Sequence, residues 1–559
     1  MRSHYINYFL KKNGLETEEE IEKFLDFKES DIPDTKIMQG VDSFNKEVVA
    51  EIKANNRIVV FGDYDTDGAL STTVMVRSLR LLSFQLTGNY GRISYFIPDR
   101  FIDGYGMTES TVKKLLLKNP KVNTIITVDN GIVAFDAIKL AKSKNLKVIV
   151  TDHHKSLDDG SLPDADVIVD PGRQDDSYPD KGISGTTLAY KLMLNLYESL
   201  GLPVENMTNL LDFVGMSVVS DIMPMRGQNR YYVKKALEIF NNQNGNRLRF
   251  GWAALKEVLI RNKKLKSGKK IDEMDFGFLF SPIINAQSRV NGKASVAVDL
   301  FLSQDSVDVR EKADYMVMVN EERKELSNAA FEKLNETDFS GNSIIIVQDD
   351  SLGEGLIGLL AGKLTEKYNR PSIVLTDTGN GTLKGSARSI ENVDVTNALR
   401  QRDDLFIGLG GHAGAAGMSL KSSNLNELKD SMSKIFDELV PADLTAEPIP
   451  DLVINADDLN LDLLEEFNSL SPFGEGFKYP LIEVDSMPID DVKQMGSDKT
   501  HLKIISDNID IIDWSGVERF YDDATAAGSL DVIGKAQVND FNGKMSVQII
   551  VSHESLKFY

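Results

Sequence analysis

Short β-branched runs alternate with helical stretches between residues 57 and 170, and that alternation restricts the chain to few architectures. Strands read at 57–61, 93–97, 123–128, 147–151 and 166–169, with helices at 70–82, 108–118 and 133–143. Strands alternating with helices pack as a parallel sheet covered on both faces, and such sheets bind ligands beyond the carboxyl ends of their strands. Three of those ends carry chemistry. Asp63-Tyr64-Asp65-Thr66-Asp67-Gly68 follows Ile58-Val59-Val60-Phe61, Asp129 follows Thr124-Ile125-Ile126-Thr127-Val128, and Asp152-His153-His154 follows Val148-Ile149-Val150-Thr151. Helical stretches at 186–200 and 209–221 come next, and Asp221 closes a largely apolar run. A buried carboxylate without a partner is costly, and a cation is its natural one.

Cysteine is absent, which excludes disulfides, thiolate zinc sites and cysteine nucleophiles. Two of only six histidines stand side by side at 153 and 154. Asp65, Asp67, Asp129, His153 and Asp221 offer four carboxylates and an imidazole, enough for two divalent ions if the fold converges them. Oxygen-rich ligation with one histidine suits Mn²⁺ or Mg²⁺, without choosing between them. Two such ions roughly 3.5–4 Å apart activate a water and stabilise the leaving oxygen of an in-line phosphoryl displacement. Metal-free acid/base catalysis explains the cluster less well, because crowded carboxylates raise one another's pKa unless a cation neutralises them. The chemistry implied is hydrolysis of a phosphoester or phosphoanhydride.

The remaining sequence supplies further domains, and 559 residues suit three or four at about 150 each. Residues 306–336 lack Gly and Pro and carry apolar positions at helical spacing, predicting a helix of ~45 Å that can connect two domains. A second α/β unit reads as strand 343–347, helix 358–368, strand 372–375 and the Gly-rich 408–417. Gly385-Ser386-Ala387-Arg388-Ser389, together with His412, suits phosphate reading by close backbone approach and a guanidinium. After a linker punctuated by Pro441, Pro448 and Pro450, strands at 480–484, 501–505, 508–512, 530–536 and 545–551 suit a small OB-type β-barrel. The net charge of −22 argues against binding a polyanion through the body as a whole but leaves room for a local basic groove. The basic run 261–270 reads as a solvated loop or a binding patch. No apolar run approaches a membrane span of ~18 residues and the N-terminus lacks a signal-peptide core, so a cytoplasmic protein without membrane contact is expected.

The acidic and histidine segments, with Val219-Ser220-Asp221, resemble the four ordered motifs of the DHH phosphoesterase superfamily. Gly410-Gly411-His412-Ala413-Gly414-Ala415-Ala416-Gly417 resembles the signature of its DHHA1 partner domain. Within that superfamily the chain is similar to the bacterial RecJ type. The similarity includes Ile97-Pro98-Asp99-Arg100, Gly104-Tyr105-Gly106, Ile284-Asn285-Ala286-Gln287-Ser288-Arg289, Asn320-Glu321-Glu322-Arg323-Lys324 and Ser471-Pro472-Phe473-Gly474-Glu475-Gly476-Phe477. The resemblance implies an α/β fold in which a parallel-sheet DHH domain (1–225, with an N-terminal extension) leads to a helical region and connecting helix (226–336). A smaller α/β DHHA1 domain (337–442) and an OB-fold domain (443–559) that extends the DNA path complete it. It implies Asp65, Asp67, Asp129, His153 and Asp221 as metal ligands, with Asp63 and His154 close to the metals or the scissile phosphate. Arg100, Asn285, Arg289, Ser386, Arg388, Gly411 and His412 are expected around the nucleotide and its terminal 5′ phosphate.

The activity so implied is a two-metal 5′→3′ exonuclease that releases 5′-mononucleotides from single-stranded DNA in recombination and repair. Its cleft would be too narrow for a duplex. A monomer is expected, with a single-strand-binding protein or a helicase as loading partner. The alternative is a DHH hydrolase of short oligonucleotides, nucleoside bisphosphates or pyrophosphate; such enzymes resemble the two α/β units alone, so the β tail and the Arg289 region favour the exonuclease. A scaffold without activity would have lost the carboxylates kept here. One departure stands out: where the family commonly has Trp-His before a Gly, this chain has Leu352-Gly353, and the missing imidazole bears on rate or affinity rather than on reaction class.

Overall fold

Runs of β-branched residues bounded by Asp, Asn and Gly form the first sheet of the computed structural model, which describes residues 2–242, 248–441, 448–541 and 543–559. Its elements follow as β1 (Arg57–Phe61), α1 (Thr66–Thr87), β2 (Arg92–Phe96), α2 (Glu109–Lys118), β3 (Thr124–Val128), α3 (Phe135–Ser143), β4 (Lys147–Thr151) and β5 (Val167–Val169). The strands are parallel in the order β2-β1-β3-β4-β5. β3 is buried along its whole length, as an apolar central strand covered on both faces must be. The chain leaves β1 for β2 on one side and returns to β3 on the other, so the switch point of the sheet lies between β1 and β3. A crevice opens at such a point, and Asp63 and Asp129 follow those two strands.

Helix α1 begins at Thr66 rather than near residue 70, because Asp65 caps it by accepting a hydrogen bond from the Gly68 amide at 2.8 Å. The acidic motif is therefore half strand-end and half helix N-terminus. Helices α4 (Gly185–Ser199) and α5 (Leu211–Ser220) pack against α1, and α6 (Ser281–Asn291) lies beside α7 (Ser306–Leu334). At 29 residues α7 spans ~43 Å. Its first half joins the core of the first sheet through Val309, Ala313, Met316 and Val317, while Leu334 joins the core of a second sheet.

That sheet comprises β6 (Ile345–Gln348), β7 (Ser372–Asp377), β8 (Thr382–Arg388), β9 (Phe406–His412) and β10 (Ala415–Lys421), ordered β6-β7-β8-β10-β9, with α8 (Glu354–Tyr368) against β7 and β8. The Gly-rich segments suited to phosphate reading are strands: residues 385–388 end β8, and residues 408–417 belong to the β9–β10 hairpin. Half of the basic run at 261–270 is neutralised, with Arg261 paired to Asp314, Lys264 to Glu321 and Lys269 to Asp275.

Ser30–Pro224 and Gln228–Leu444, holding both sheets, form one compact unit; Met1–Glu29, Met225–Gly227 and Thr445–Tyr559 form another. The latter contains β11 (Leu452–Val453), β12 (Ile482–Pro488), β13 (Asp491–Met495), β14 (His501–Ser506), β15 (Ile509–Asp513), β16 (Ser529–Phe541) and β17 (Lys544–Phe558). They form one mixed sheet, β11-β12-β16-β17-β15-β14-β13, consistent with an OB-type barrel. Helices His4–Lys12 and Glu18–Leu25 place Phe9 and Phe24 on Phe477, with ring centroids 5.5 and 4.6 Å apart. The N-terminal extension, assigned from sequence to the first sheet's domain, thus shares a core with the tail. Most of the linker between Pro441 and Pro450 lies outside the described residues.

Helices α6 and α8 meet backbone to backbone, because a Cβ on Gly355 would lie 2.0 Å from the Arg289 carbonyl oxygen. Gly355→Ala is expected to lower stability by about 1–3 kcal/mol in denaturant titrations. Gly362→Ala, with nothing within 4 Å in the same helix, is expected to be neutral or stabilising.

Candidate metal and phosphate site

The crevice gathers the sequence-predicted acids. Ligand atoms of Asp63, Asp65 and Asp129 lie within 4.8 Å of one another, as do those of Asp67, His153 and Asp221, and those of Asp129, His153 and His154. Asp129 and His153 belong to two groups each, so the three overlap in one site. His153 Nε2 is 3.0 Å from Asp129 Oδ1, 3.6 Å from Asp221 Oδ2 and 3.7 Å from Asp67 Oδ2.

Each side chain is delivered by its own device. Asp129 follows β3 with φ of 60°, a left-handed conformation that Asp tolerates better than most residues. Gly185 lies against it, since a Cβ there would sit 2.7 Å from Asp129 Cβ. Asp67 accepts hydrogen bonds from the Gly185 amide (2.6 Å), the Thr186 amide (2.9 Å), the Thr186 hydroxyl (2.6 Å) and the Ser217 hydroxyl (2.6 Å). It therefore locks the N-termini of α1 and α4 together. Asp221 ends α5, and its Oδ2 is buried with no hydrogen-bond donor among the described residues. Asp152, which sequence reasoning does not assign to the site, accepts from the Ile132 amide at 2.9 Å and bonds His154 Nδ1 at 2.7 Å, fixing that ring. Nε2 of His154 lies 3.4 Å from the Tyr105 hydroxyl.

Burial, then the neighbouring Asp65, pushes the Asp63 carboxyl up to about 8. Burial followed by Asp67 raises Asp65, and lifts Asp129 and Asp221 well above the carboxylate range. Burial also lowers His153. His154 goes the other way: burial would lower it, but the hydrogen bond and charge of Asp152 carry it up to about 10. Crowded carboxylates, a neutral imidazole and an orphaned carboxylate oxygen fit a divalent cation, which relieves all three at once.

Opposite the acids stand arginines. Burial, then Arg100, Arg388 and Arg323, pushes Arg289 down to about 9, and burial with Arg100 lowers Arg388. Among the described residues none of these four is ion-paired, although Arg100 and Arg289 feel the charges of Asp63 and Asp65. Arg100 lies 5.0 Å over the Tyr64 ring, Arg289 donates to the Gly355 carbonyl at 3.3 Å, and Arg388 donates to Ser386 Oγ at 3.0 Å. Across the second sheet, Arg388, Ala415 and His412 form one row and Ser386, Gly417 and Gly410 the next but one. Gly417 and Gly410 leave open space beside Ser386. Gly411 pairs with Ala416, and His412 is exposed at the sheet edge.

Asn285, expected around the nucleotide, accepts from the Thr66 amide at 2.9 Å and so holds the acidic loop. Arg323 escapes sequence reasoning as a site residue, although it sits within a family motif; one turn after Asn320 on α7, it reaches the cluster only because α7 joins both lobes.

Removing one charge from the repelling cluster should stabilise the metal-free fold, so Asp129→Asn is expected to raise its melting temperature and abolish the upshift that Mn²⁺ gives the unmodified chain. Asp67→Ala should instead lower stability by roughly 2 kcal/mol or more, because it strands buried donors. Thermal melts with and without Mn²⁺ check both.

Residues 57–216 match the DHH family N-terminal domain, 341–438 the DHHA1 domain and 450–553 the RecJ OB domain. The single-stranded-DNA-specific exonuclease RecJ of Salmonella typhimurium is 30% identical over 550 residues, covering 92% of this chain and 90% of that protein. RecJ of Bacillus subtilis is 32% identical over 554 residues, covering 97% of this chain and 66% of that longer protein. Among solved structures, RecJ of Thermus thermophilus in complex with Mn²⁺ superposes with a TM-score of 0.78 at 24% identity, over 99% of this chain and 75% of that one, and shares the fold. An exonuclease RecJ bound to manganese gives a TM-score of 0.59 at 26% identity, over 71% of this chain and 94% of that one. The chain belongs to the RecJ family of single-stranded-DNA-specific exonucleases.

Proposed function

We propose that this protein is a metal-dependent 5′→3′ exonuclease that releases 5′-mononucleotides from single-stranded DNA, serving recombination and repair. Asp65, Asp67, Asp129, His153 and Asp221 hold two ions, Mn²⁺ or Mg²⁺, with Asp63 beside them. When bound, the ions supply activation of the attacking water and neutralisation of charge at the scissile phosphate and its leaving oxygen. The observation that carries this reading is the meeting, in one crevice, of a carboxylate cluster with four guanidiniums that lack carboxylate partners among the described residues.

The chain's own groups do the rest. Asp67, fixed by four donors, sets the geometry against which the other ligands are placed. Asp152 fixes His154 through Nδ1, which leaves Nε2 beside Tyr105 to meet a phosphoryl oxygen. Arg100, Arg289, Arg323 and Arg388 grip the terminal phosphates as bidentate forks, with Ser386 and His412 alongside and the side-chain-free Gly410 and Gly417 leaving room for the backbone.

We assign catalysis to residues 30–225, linkage to 226–336, nucleotide binding to 337–442 and DNA contact to 443–559. Residues 448–559 carry 21 Asp and Glu against 8 Lys and Arg, so that domain would hold DNA through stacking and hydrogen bonds rather than charge. A loading protein, either a single-strand-binding protein or a helicase, would offset this weak attraction. A monomer acting in the cytoplasm belongs to the same proposal; no described helix is long and apolar enough to cross a membrane.

With Mn²⁺, a long 5′-phosphorylated single strand is expected to yield mononucleotides while a blunt duplex resists, and Asp129→Ala is expected to abolish release. Equal or better turnover of a dinucleotide would instead establish a short-oligonucleotide hydrolase. Arg289→Ala should lower kcat/KM about 10- to 100-fold, the worth of one charge-assisted hydrogen-bonding group. Gly353 stands at the N-terminus of α8, and a Cβ there would meet nothing within 4 Å. The position has room for a side chain, and Gly353→His is expected to raise kcat/KM.

A further inference from the structure

The amino ends of the first sheet, remote from the crevice, hold another concentration of positive charge. Arg57 opens β1, Arg92 opens β2, and Lys118 and Lys121 lie just before β3; together they line a cleft of about 450 Å³ whose walls include no acidic side chain. All four are exposed, and none is ion-paired among the described residues. Gly91 and Ile93 also line a larger cavity of about 1220 Å³, so the two adjoin.

The larger cavity adds Arg77, Arg80, Lys235 and Arg249 against two acids, Asp212 (2.8 Å from Arg249) and Glu238 (3.0 Å from Lys235). Arg77 donates from Nη1 to the Phe301 carbonyl at 3.0 Å, and Arg80 donates from Nε and Nη2 to the Ile93 carbonyl at 3.3 and 3.0 Å. Both guanidiniums are thereby oriented while keeping N–H groups for a ligand. At the same wall Tyr90, 60% exposed, stacks on Phe84 with centroids 4.9 Å apart and planes 20° from parallel. Eight basic groups against two acids run counter to a chain of net charge −22.

We propose that these two adjoining clefts form a second binding track for single-stranded nucleic acid, holding phosphates of a part of the strand outside the catalytic crevice and stacking a base on Tyr90. Oriented guanidiniums beside an exposed aromatic pair are the chemistry of a single strand, whose phosphates repeat and whose bases offer flat faces. The length of β1 separates Arg57 from the acids after Phe61, ~17 Å at 3.3 Å per residue, so one nucleotide cannot serve both sites. A strand held at both leaves the crevice more slowly than one held only by its end.

The inference rests on the nucleic-acid reading above, and its test keeps the two apart. Binding of a long single strand is measured without divalent metal across a salt series, and hydrolysis of a short 5′-phosphorylated strand is measured with Mn²⁺. Arg92→Glu combined with Lys121→Glu is expected to weaken long-strand binding at least about fivefold and to lower the slope of log affinity against log salt by about 0.7 for each phosphate no longer neutralised. Hydrolysis of the short strand should stay within about twofold of the unmodified chain, as expected when the end-binding groups are untouched. Tyr90→Ala is expected to weaken binding about fivefold or more with the slope kept. Unchanged affinity and slope in a folded double variant would overturn the track. So would competition by a polyglutamate peptide that depends on Arg92 and Lys121 while strand binding does not, since that marks an acidic-peptide site. Failure of the unmodified chain to cut the short strand would count against the exonuclease reading alone, with the binding series still deciding the track.

Discussion

Like charges crowd together at the carboxyl end of the first sheet, and the surrounding structure exists to hold them there. Two carboxylates 4 Å apart repel by about 4 kcal/mol at the effective dielectric of a protein surface. Asp63, Asp65, Asp129 and Asp221 meet that repulsion by being pushed above the ordinary carboxylate range, burial first and each other second. Asp67 among them is held by four hydrogen bonds from α4 and α5. The close approach of Gly185 to Asp129 and the capping of α1 by Asp65 are further parts of the same frame.

The arginine cluster is the complementary half of that arrangement. Arg289 is depressed by burial and by three other guanidiniums, just as the acids are raised by burial and by one another. Cations placed among the acids and phosphates placed among the arginines would relieve both strains together, which is what the proposed function asks of the crevice. α7 matters here because it fixes the distance between lobes: Val309 to Val317 bind it to the first core, Leu334 to the second, and Arg323 lies between.

Much of this is legible in the sequence. Five β-branched runs, three of them ending in Asp or His, give both the parallel sheet and the edge at which a site must lie, and the 306–336 helix is visible because it lacks Gly and Pro. What stays hidden depends on tertiary pairing. Residues 385–388 and 408–417 carry no strand pattern because glycine is ambiguous between turn and strand, and only their mutual register makes them β8, β9 and β10. The bond from the Thr66 amide to the Asn285 side chain, made across the fold, is equally invisible in the sequence. The N-terminal helices carry an apolar face whose partner, Phe477, lies more than 450 residues away, a pairing no local pattern reveals.

The central claim is that the acids and His153 would hold two cations in one centre around Asp129. The direct measurement is anomalous diffraction at the manganese edge from crystals soaked in Mn²⁺. Such a centre predicts two peaks per chain, roughly 3.5–4 Å apart, both within coordination distance of the Asp129 carboxylate, with Asp67 still bonded to Gly185 and Thr186. A single peak, or none within reach of Asp129 and His153, would contradict it.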